Sequence, residues 1–525
     1  MRISSLDDIA PKNNYQKTTP IRKNAMKKVG LILGPTFFFL AVFFADLGPP
    51  NSKTTIMAGI ALLMATWWLT EAIPLFATAL LPLILYPVLG IERGANIAPV
   101  YFNSTIVLFI GGFIIALVMQ KWNLHRRIAL TIIATVGGGP DKIVLGFMLA
   151  SAFLSMWISN TATATMMLPI GLSVILELEK QFRPSETKGF STGVMLGIGY
   201  SCSIGGISTL VGTPPNLAFA RISQISFPEG PVVSFGQWLT MALPASTVLL
   251  AIAWVLITKV FFRVPSQVKV DNSIIQNQKA LLGPVSYQEK AVLSVFSLTV
   301  LLWVFRTPIN LGFAIIPGWS ILLPFPELID DGTIAITMAT LFFLIPSRTS
   351  EGASGFLADG TLIPKLPWNI VLLYGGGFAL AHGFVVSGLA SLLGSKLSIF
   401  AGLAPFLLVA LICFSMTFLT EVTSNTATTE MILPILAAVA VATGLHPFML
   451  MIPATISASC AFMMPVATPP NAIIFGSNRV RVPDMAKIGI WLNIIGVVVV
   501  ATTFYFLGQA IFDIDPNIMP DWAHF

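Results

Sequence analysis

Charge is scarce in this 525-residue chain: Asp, Glu, Lys and Arg together make up 10% of it, against about 25% in an ordinary soluble domain. An ordinary soluble enzyme is excluded on that ground. Cysteine is nearly absent, with Cys202, Cys413 and Cys460 each inside an apolar stretch and at no metal or redox spacing. They read as small buried hydrophobes, against a disulfide framework or a zinc site. The four histidines, His125, His382, His446 and His524, form no HExxH word and no pair at helical spacing, which disfavours an intramembrane metalloprotease. The net charge is +6, but the basic residues are scattered between apolar runs and make no stripe or aromatic-interleaved patch. Nucleic acid is not the expected partner.

What the chain has is apolar length. Hydrophobic residues are 55% of it and the mean hydropathy is +0.84, so lipid must be the solvent for much of its surface. The reading is an all-α polytopic membrane protein in which no separate soluble domain fits. Residues 1–28 form a polar, basic tail, and the apolar run from Val29 has no small-residue cleavage site after it. That makes 29–47 a first span and not a removed signal peptide. Ten more spans are predicted at 54–70, 72–90, 105–120, 189–222, 233–262, 289–305, 333–346, 368–391, 447–475 and 488–510. Two further segments, 144–178 and 402–442, read as re-entrant helical hairpins of two short arms around a Ser-Asn-Thr cluster. A polar tip at membrane depth is tolerable only where protein or water covers it. With the tail inside and both hairpins returning to their own side, 24 of the 29 Lys and Arg fall inside and five, Lys53, Arg93, Arg221, Arg306 and Lys396, outside. That asymmetry is what the positive-inside rule demands, with the N-terminus cytoplasmic and the C-terminus extracytoplasmic.

The chain also repeats itself. Ser159 to Ile170 (SNTATATMMLPI) returns as Ser424 to Ile435 (SNTATTEMILPI), identical at nine of twelve positions. Each copy is followed by a second shared word, Gly212-Thr-Pro-Pro-Asn216 and Ala467-Thr-Pro-Pro-Asn471. Five spans in each half, an odd number, turn the second half upside down, giving two inverted-topology repeats, an architecture of secondary transporters. The expected organisation is a cytoplasmic tail over 1–28, a first span over 29–53, repeat 1 over 54–262 and a cytoplasmic linker over 263–286. Repeat 2 follows over 287–510 and an extracytoplasmic tail over 511–525. The Thr-Pro-Pro-Asn words interrupt apolar runs, so 189–222 and 447–475 are predicted to be broken helices. Unwound carbonyls at such a break suit a hard cation, and the following helix N-terminus suits an anion.

At the hairpin tips stand Ser159, Asn160 and Thr161, and Ser424, Asn425 and Thr426, with Ser155 and Thr420 one turn earlier. Neutral oxygens of this kind bind a weakly held alkali cation and release it, which points to Na+. No Lys or Arg lies within either motif, so an anion would be held by amides, hydroxyls, helix N-termini and the bound cations. A lone Ser-Asn-Thr would more often be back-bonded helix; the duplication argues for a site.

These paired words, together with Trp67-Trp-Leu-Thr-Glu-Ala-Ile-Pro74 and the run Ala458 to Asn471 (ASCAFMMPVATPPN), resemble the divalent anion/sodium symporter family over about residues 29–510. The resemblance implies a homodimer that carries di- and tricarboxylates, or sulfate in some branches, by an elevator-like movement. The hairpins with 189–262 and 447–510 would form the moving part. By matching motif position it implies a first sodium site of Ser155, Ser159, Asn160 and the Gly212 carbonyl. A second would use Thr420, Thr423, Asn425 and the Ala467 carbonyl. Substrate carboxylates would meet Asn160, Thr161 and Thr213 on one side and Ser424, Asn425, Thr426, Thr468 and Pro469 on the other. Glu430 departs from the small or hydroxyl residue expected there.

The expected function is sodium-coupled symport of C4-dicarboxylates such as succinate, malate or fumarate, in the cell (inner) membrane. A citrate, sulfate or obligate-exchange carrier is the alternative within the class and an anion channel the alternative outside it. An enzyme is disfavoured because no base-and-nucleophile set is visible. Gly111-Gly112 and Gly375-Gly376-Gly377 read as close helix packing, His382 as a packed histidine, and Glu71 as a span-boundary residue. Asn103-Ser-Thr105 has the form of a glycosylation sequon. Glu421 and Glu430 are intramembrane carboxyls that either pair nearby or couple to protons.

Overall fold

The computed structural model describes residues 19–44, 52–262, 273–310, 314–348, 354–397, 402–516 and 518–524. Much of the expected basic tail (1–18) and of the expected linker (263–272) lies outside them, as do 517 and 525 of the C-terminal tail. The fold is helical. In the first half run α1 Thr19–Phe44, α2 Lys53–Thr70, α3 Ser104–Lys121, α4 Leu124–Val136, α5 Pro140–Ser155, α6 Asn160–Gln181, α7 Pro184–Ile207, α8 Pro214–Ser226 and α9 Phe235–Val255. The second half has α10 Tyr287–Val304, α11 Asp331–Leu341, α12 Trp368–Val386, α13 Leu389–Leu397, α14 Pro405–Thr420, α15 Asn425–Thr443, α16 Pro447–Ser457, α17 Pro469–Phe475 and α18 Val482–Thr503. Shorter helical turns and two small antiparallel strand pairs, Ile309–Asn310 with Ile315–Ile316 and Pro346–Arg348 with Ser354–Phe356, fill the connections.

Among the described residues, eight helices are long and apolar enough to cross a membrane: Ala25–Phe44, Gly94–Lys121, Asn160–Gln181, Glu186–Ile207, Phe235–Phe261, Trp368–Val386, Asn425–Thr443 and Val482–Phe512. Two of the eight, Asn160–Gln181 and Asn425–Thr443, are the second arms of the expected hairpins, and the 18-residue helices Lys53–Thr70 and Tyr287–Val304 cover two further expected spans. The 72–90 and 447–475 segments hold shorter helices, Leu75–Val88 and Pro447–Ser457, and the 333–346 segment is an 11-residue helix. The hairpins also depart from two short arms: their second arms, α6 and α15, have 22 and 19 residues and are themselves long enough to span. Each carries an internal proline, Pro169 and Pro434, without breaking. Neighbouring helices in an apolar setting tolerate such prolines.

Two apolar clusters hold the chain together. The larger runs through both hairpins and both broken helices, with Phe147, Val174, Tyr200, Phe219, Trp238, Leu450, Ile474 and Leu492. The smaller joins α2, the 75–101 segment, α12, α13 and α15 through Met57, Trp68, Tyr86, Leu380, Leu389 and Met431. Outward-facing apolar side chains such as Ile32, Phe43 and Phe44 on α1 are exposed, as a lipid-facing surface requires.

Close approach between helices runs through small residues, as expected. Gly111 packs on the backbone of Ala335, and the three consecutive glycines of α12 each receive a different neighbour: Tyr101 at Gly375, Ala79 at Gly376 and Glu430 at Gly377. Asn103 of the sequon is the N-cap of α3, accepting from the Thr105 amide at 3.0 Å and donating to Val100 O at 3.0 Å. A buried ion pair, Arg306 Nε to Asp331 Oδ1 at 2.6 Å, joins the end of α10 to the start of α11. Asp331 also accepts from the Phe235 amide at 3.0 Å, so α9 starts from the same anchor.

Candidate cation and anion site

Two helix–turn–helix units and two interrupted helices build the site. In the first unit α5 ends at Ser155 and α6 begins after Ser159, whose Oγ accepts from the Ala162 amide at 3.3 Å as an N-cap. The 208–213 break separates α7 from α8, which opens on Pro214-Pro215. Proline is at home at the first helical positions, where its missing N–H costs nothing, and it forbids continuation from upstream. The second unit repeats the pattern with α14, α15 and the 458–468 break before Pro469-Pro470.

The first turn and the first break meet at Asn160. One polar atom of its carboxamide sits 2.5 Å from Ser155 Oγ, 3.1 Å from Cys202 O and 3.2 Å from Gly212 O. With the nitrogen in that place the amide donates to all three; with the oxygen there, four oxygens converge. Ser155 Oγ also donates to Cys202 O at 2.7 Å. Gly206 lies against this amide, and a methyl group at 206 would come within 2.6 Å of it. The second unit repeats the hydroxyl part of this geometry: Thr420 Oγ1 lies 2.6 Å from Asn425 Oδ1 and 3.0 Å from Ala458 O, either of which can accept its proton.

Each break is laced internally by the asparagine of its Thr-Pro-Pro-Asn word. Asn216 Nδ2 donates to Thr209 O at 2.7 Å and to Ile207 O at 3.2 Å, and Asn471 Nδ2 to Ala461 O and Met464 O at 3.1 Å each. Turn and break are tied differently in the two units. In the first, Thr209 Oγ1 donates to Met156 O at 2.5 Å. In the second, the buried Glu421 carboxylate accepts from the amides of Phe462, Met463 and Met464 at 2.7, 2.8 and 3.0 Å and from Asn493 Nδ2 at 2.7 Å. Successive N–H groups cradling an anion in this way satisfy a carboxylate without a cation. The units also cross over: α8 packs on α15, and α17 packs on α6 and α7.

A polar centre of neutral oxygens and broken helices inside an apolar bundle is transporter architecture. Residues 31–513 match the family described as the transmembrane region of sodium:sulfate symporters. The chain belongs to this family. It is 41% identical over 497 residues to the sodium-dependent dicarboxylate transporter SdcS of Staphylococcus saprophyticus subsp. saprophyticus, which covers 94% of this chain and 93% of that one. It is 41% identical over 499 residues to SdcS of Staphylococcus aureus strain NCTC 8325 / PS 47, covering 94% of each. Among solved structures, MtrF of Neisseria gonorrhoeae, described within a class of antimetabolite efflux pumps, is similar with a TM-score of 0.55 at 14% identity, over 90% of this chain and 98% of that one. The YdaH transporter of Alcanivorax borkumensis is similar with a TM-score of 0.55 at 12% identity, over 88% and 99%. At such identities these two share the fold alone. The family and the SdcS relatives are transporters and not enzymes.

Within this family member, Ser155, Asn160 and Gly212 come together, and Thr420 comes together with Asn425. Ser159 is occupied as an N-cap, and Thr423 Oγ1 turns to Leu419 O at 2.8 Å and Thr428 Oγ1 at 2.6 Å. Ala467 is buried in the second break. Of the expected substrate residues, Thr213, Thr426 and Thr468 are buried, Ser424 is half-buried, and Thr161 and Pro469 are exposed. Thr468 Oγ1 accepts from the Asn471 amide at 3.3 Å. Among the described residues no hydrogen bond joins the two expected substrate sets. Sequence reasoning missed Cys202 and Ala458, which act through carbonyls that any residue supplies. It also missed the Glu421 cradle, which has no counterpart in the first turn, where Met156 stands. Glu421 and Glu430 do not pair with each other: among the described residues Glu430 has no hydrogen-bond partner. His382 Nε2 lies 3.8 Å from Glu92 Oε2.

Proposed function

We propose that the chain is a sodium-coupled symporter of C4-dicarboxylates, with succinate, malate and fumarate as the substrate class. The observation that carries this reading is the convergence on Asn160 of the Ser155 hydroxyl and the Cys202 and Gly212 carbonyls. At Asn425 the matching hydroxyl, that of Thr420, is in place and also reaches Ala458 O, and no Lys or Arg lies in either motif. A hard monovalent cation takes such oxygens; with the Asn160 amide turned oxygen-inward, a sodium ion would replace the hydrogen bonds that its nitrogen otherwise donates. The SdcS relatives' name supports the same ion and the same substrate class.

In this reading the first sodium ion uses Ser155, Ser159, Asn160 and Gly212, joined by Cys202 O. The second uses Thr420, Thr423, Asn425 and Ala467, joined by Ala458 O. The Ser159 and Thr423 hydroxyls are otherwise engaged, so these two residues would serve through their backbone. Substrate carboxylates meet Asn160, Thr161 and Thr213, and Ser424, Asn425, Thr426, Thr468 and Pro469. The Ser424 hydroxyl, without a hydrogen bond among the described residues, and the N-terminal amides of α8 and α15 are its donors. Cation and anion then attract one another across Asn160 and Asn425, which couples the two fluxes.

The finer architecture belongs to the same proposal. The matched lacing of the two units supports inverted repeats over 54–262 and 287–510 with re-entrant hairpins. The family resemblance supports an elevator-like movement of the hairpin-bearing part against a scaffold. The Lys and Arg asymmetry supports a cytoplasmic N-terminus and extracytoplasmic C-terminus in the cell membrane, and the family resemblance supports a homodimer. Uptake of labelled succinate into proteoliposomes under an inward sodium gradient tests the function. Uptake that stops when choline replaces sodium supports it; sodium-independent uptake, or uptake of citrate or sulfate but not succinate, overturns it.

A further inference from the structure

We propose that Glu430 is a proton-binding site in the seam between α15 and α12, filled while these helices are packed together and emptied when α15 leaves the seam. The motion rests on the transporter reading above; the site itself rests on the packing. Glu430 lies on α15 five residues after Asn425 and is fully buried. Among the described residues neither of its carboxyl oxygens has a hydrogen-bond partner. Across the seam stands Gly377, where a methyl group would come 2.5 Å from Glu430 Cγ and Cδ and 2.7 Å from its Cβ. The absence of a side chain at 377 is therefore what makes room for Glu430.

The titratable groups that face the carboxyl are the phenols of Tyr101 and of Tyr374 on α12. Both hydroxyls are committed elsewhere, Tyr101 Oη to Ala79 O at 2.6 Å and Tyr374 Oη to Pro214 O at 3.1 Å. The other helices packed on α15 are α2, α8, α13, α14 and α16. The charged groups of these helices and of α12 form no ion pair with Glu430. Lys53 of α2 donates to Ile91 O, Arg221 of α8 to Gln224, and His382 of α12 lies beside Glu92. Glu71 caps the end of α2 and Lys396 sits in the last turn of α13.

The same hairpin shows how this chain houses an ionised carboxylate: Glu421 is given four N–H donors. Glu430 is given none. A dry carboxylate without donor or cation costs far more than the neutral acid, so the neutral acid is the form that fits the packed seam. One proton joins the carboxylate from water as the seam closes and returns to water as it opens, with no other reactant. Acid therefore favours the packed seam. The first hairpin has Thr165 at the matching motif position, which confines the device to the second half.

The test uses the full-length protein in sodium buffer near neutral pH. Infrared spectroscopy is expected to show a protonated-acid carbonyl band that shifts on carboxyl-labelling of glutamate and is missing in E430Q. In proteoliposomes, wild-type sodium-driven uptake is expected to change at least about three-fold over two pH units around neutrality, and E430Q uptake to be nearly flat. E430M, which fills the site without titrating, takes the place of E430Q should the latter fail to fold. The isotope shift also reads the wild type without any substitution. Superimposable spectra of wild type and variant overturn the proton site, whatever uptake shows. A Glu430 band with unaltered pH dependence of uptake overturns its emptying on motion. Absence of uptake in the wild type with the band present overturns the transporter reading and leaves the bound proton standing.

Discussion

The Asn160 carboxamide and the Gly212 carbonyl lie 3.2 Å apart, although one belongs to the turn of a helical hairpin and the other to the break in α7–α8. Neither element holds a complete ligand set alone. A side chain that must face carbonyls is poorly placed unless it turns its nitrogen toward them or a cation sits between. In the proposed reading the contact is therefore the place where sodium occupancy and hairpin position would become one variable.

Substituting Asn160 or Asn425 by Ala removes an oxygen assigned to cation and substrate together. Loss of one such ligand is worth about 1–2 kcal/mol, or on the order of ten-fold in the sodium concentration needed for half-maximal uptake. Sodium titrations of succinate uptake should show both activation and substrate affinity weakened in parallel. Gly206→Ala, whose methyl would press on the Asn160 amide, should reproduce the N160A effect without removing any ligand. A variant that loses substrate affinity while keeping wild-type sodium activation contradicts the shared site.

The polar words and the proline breaks were legible in the sequence because residue type alone carries their chemistry: hydroxyl and amide at the tips, Pro-Pro at the helix starts. The repeat made them conspicuous. Cys202 and Ala458 were not legible, since a backbone carbonyl has no signature and only the fold brings each within reach of its hairpin. The arm lengths were misjudged for a related reason. A polar cluster within an apolar run suggests two short arms, but Pro169 and Pro434 sit inside helices that continue, held by neighbours that no local pattern reveals. Glu421 and Glu430 looked alike as intramembrane carboxyls; only packing separates the cradled group from the unpartnered one.

Glu421 holds the break that carries Ala458 and Ala467. Removing it as E421A takes the acceptor from four donors, of which only the Phe462 amide keeps another, Asn493 Oδ1 at 3.2 Å, at a cost of about 3–5 kcal/mol by analogy with breaking a buried charge pair. E421Q retains one acceptor oxygen and should cost about 1–3 kcal/mol. Thermal unfolding in detergent should rank wild type above E421Q above E421A, and succinate uptake in E421Q should need more sodium than in wild type. Equal melting of all three would show that the cradle contributes nothing to holding the break.

Arg306 and Asp331 tie three helices at one point. Their side chains are only 9% and 8% exposed, so truncating one partner leaves a buried charge and costs about 3–5 kcal/mol. R306A and D331A should each be strongly destabilised. Replacing both with apolar residues of similar volume, R306M with D331L, should recover much of the Arg306–Asp331 loss but not the Phe235 amide's acceptor. A thermal double-mutant cycle reads this directly, and additive losses would mean the pair is not energetically coupled.

Sodium withdrawal bears on the whole site. A ligand that binds only the folded protein stabilises it by about 2.7 kcal/mol at a hundred times its dissociation constant. If sodium completes the anion site, succinate has little purchase in its absence, because neither motif offers a fixed cation. Thermal unfolding of the purified protein should thus show three tiers: lowest in choline with or without succinate, higher in sodium, highest in sodium with succinate. N160A and N425A should compress the tiers. Equal stabilisation by succinate in choline and in sodium would mean that the anion is recognised by helix N-termini and hydroxyls alone, and the coupling would then have to lie in the movement and not in the binding.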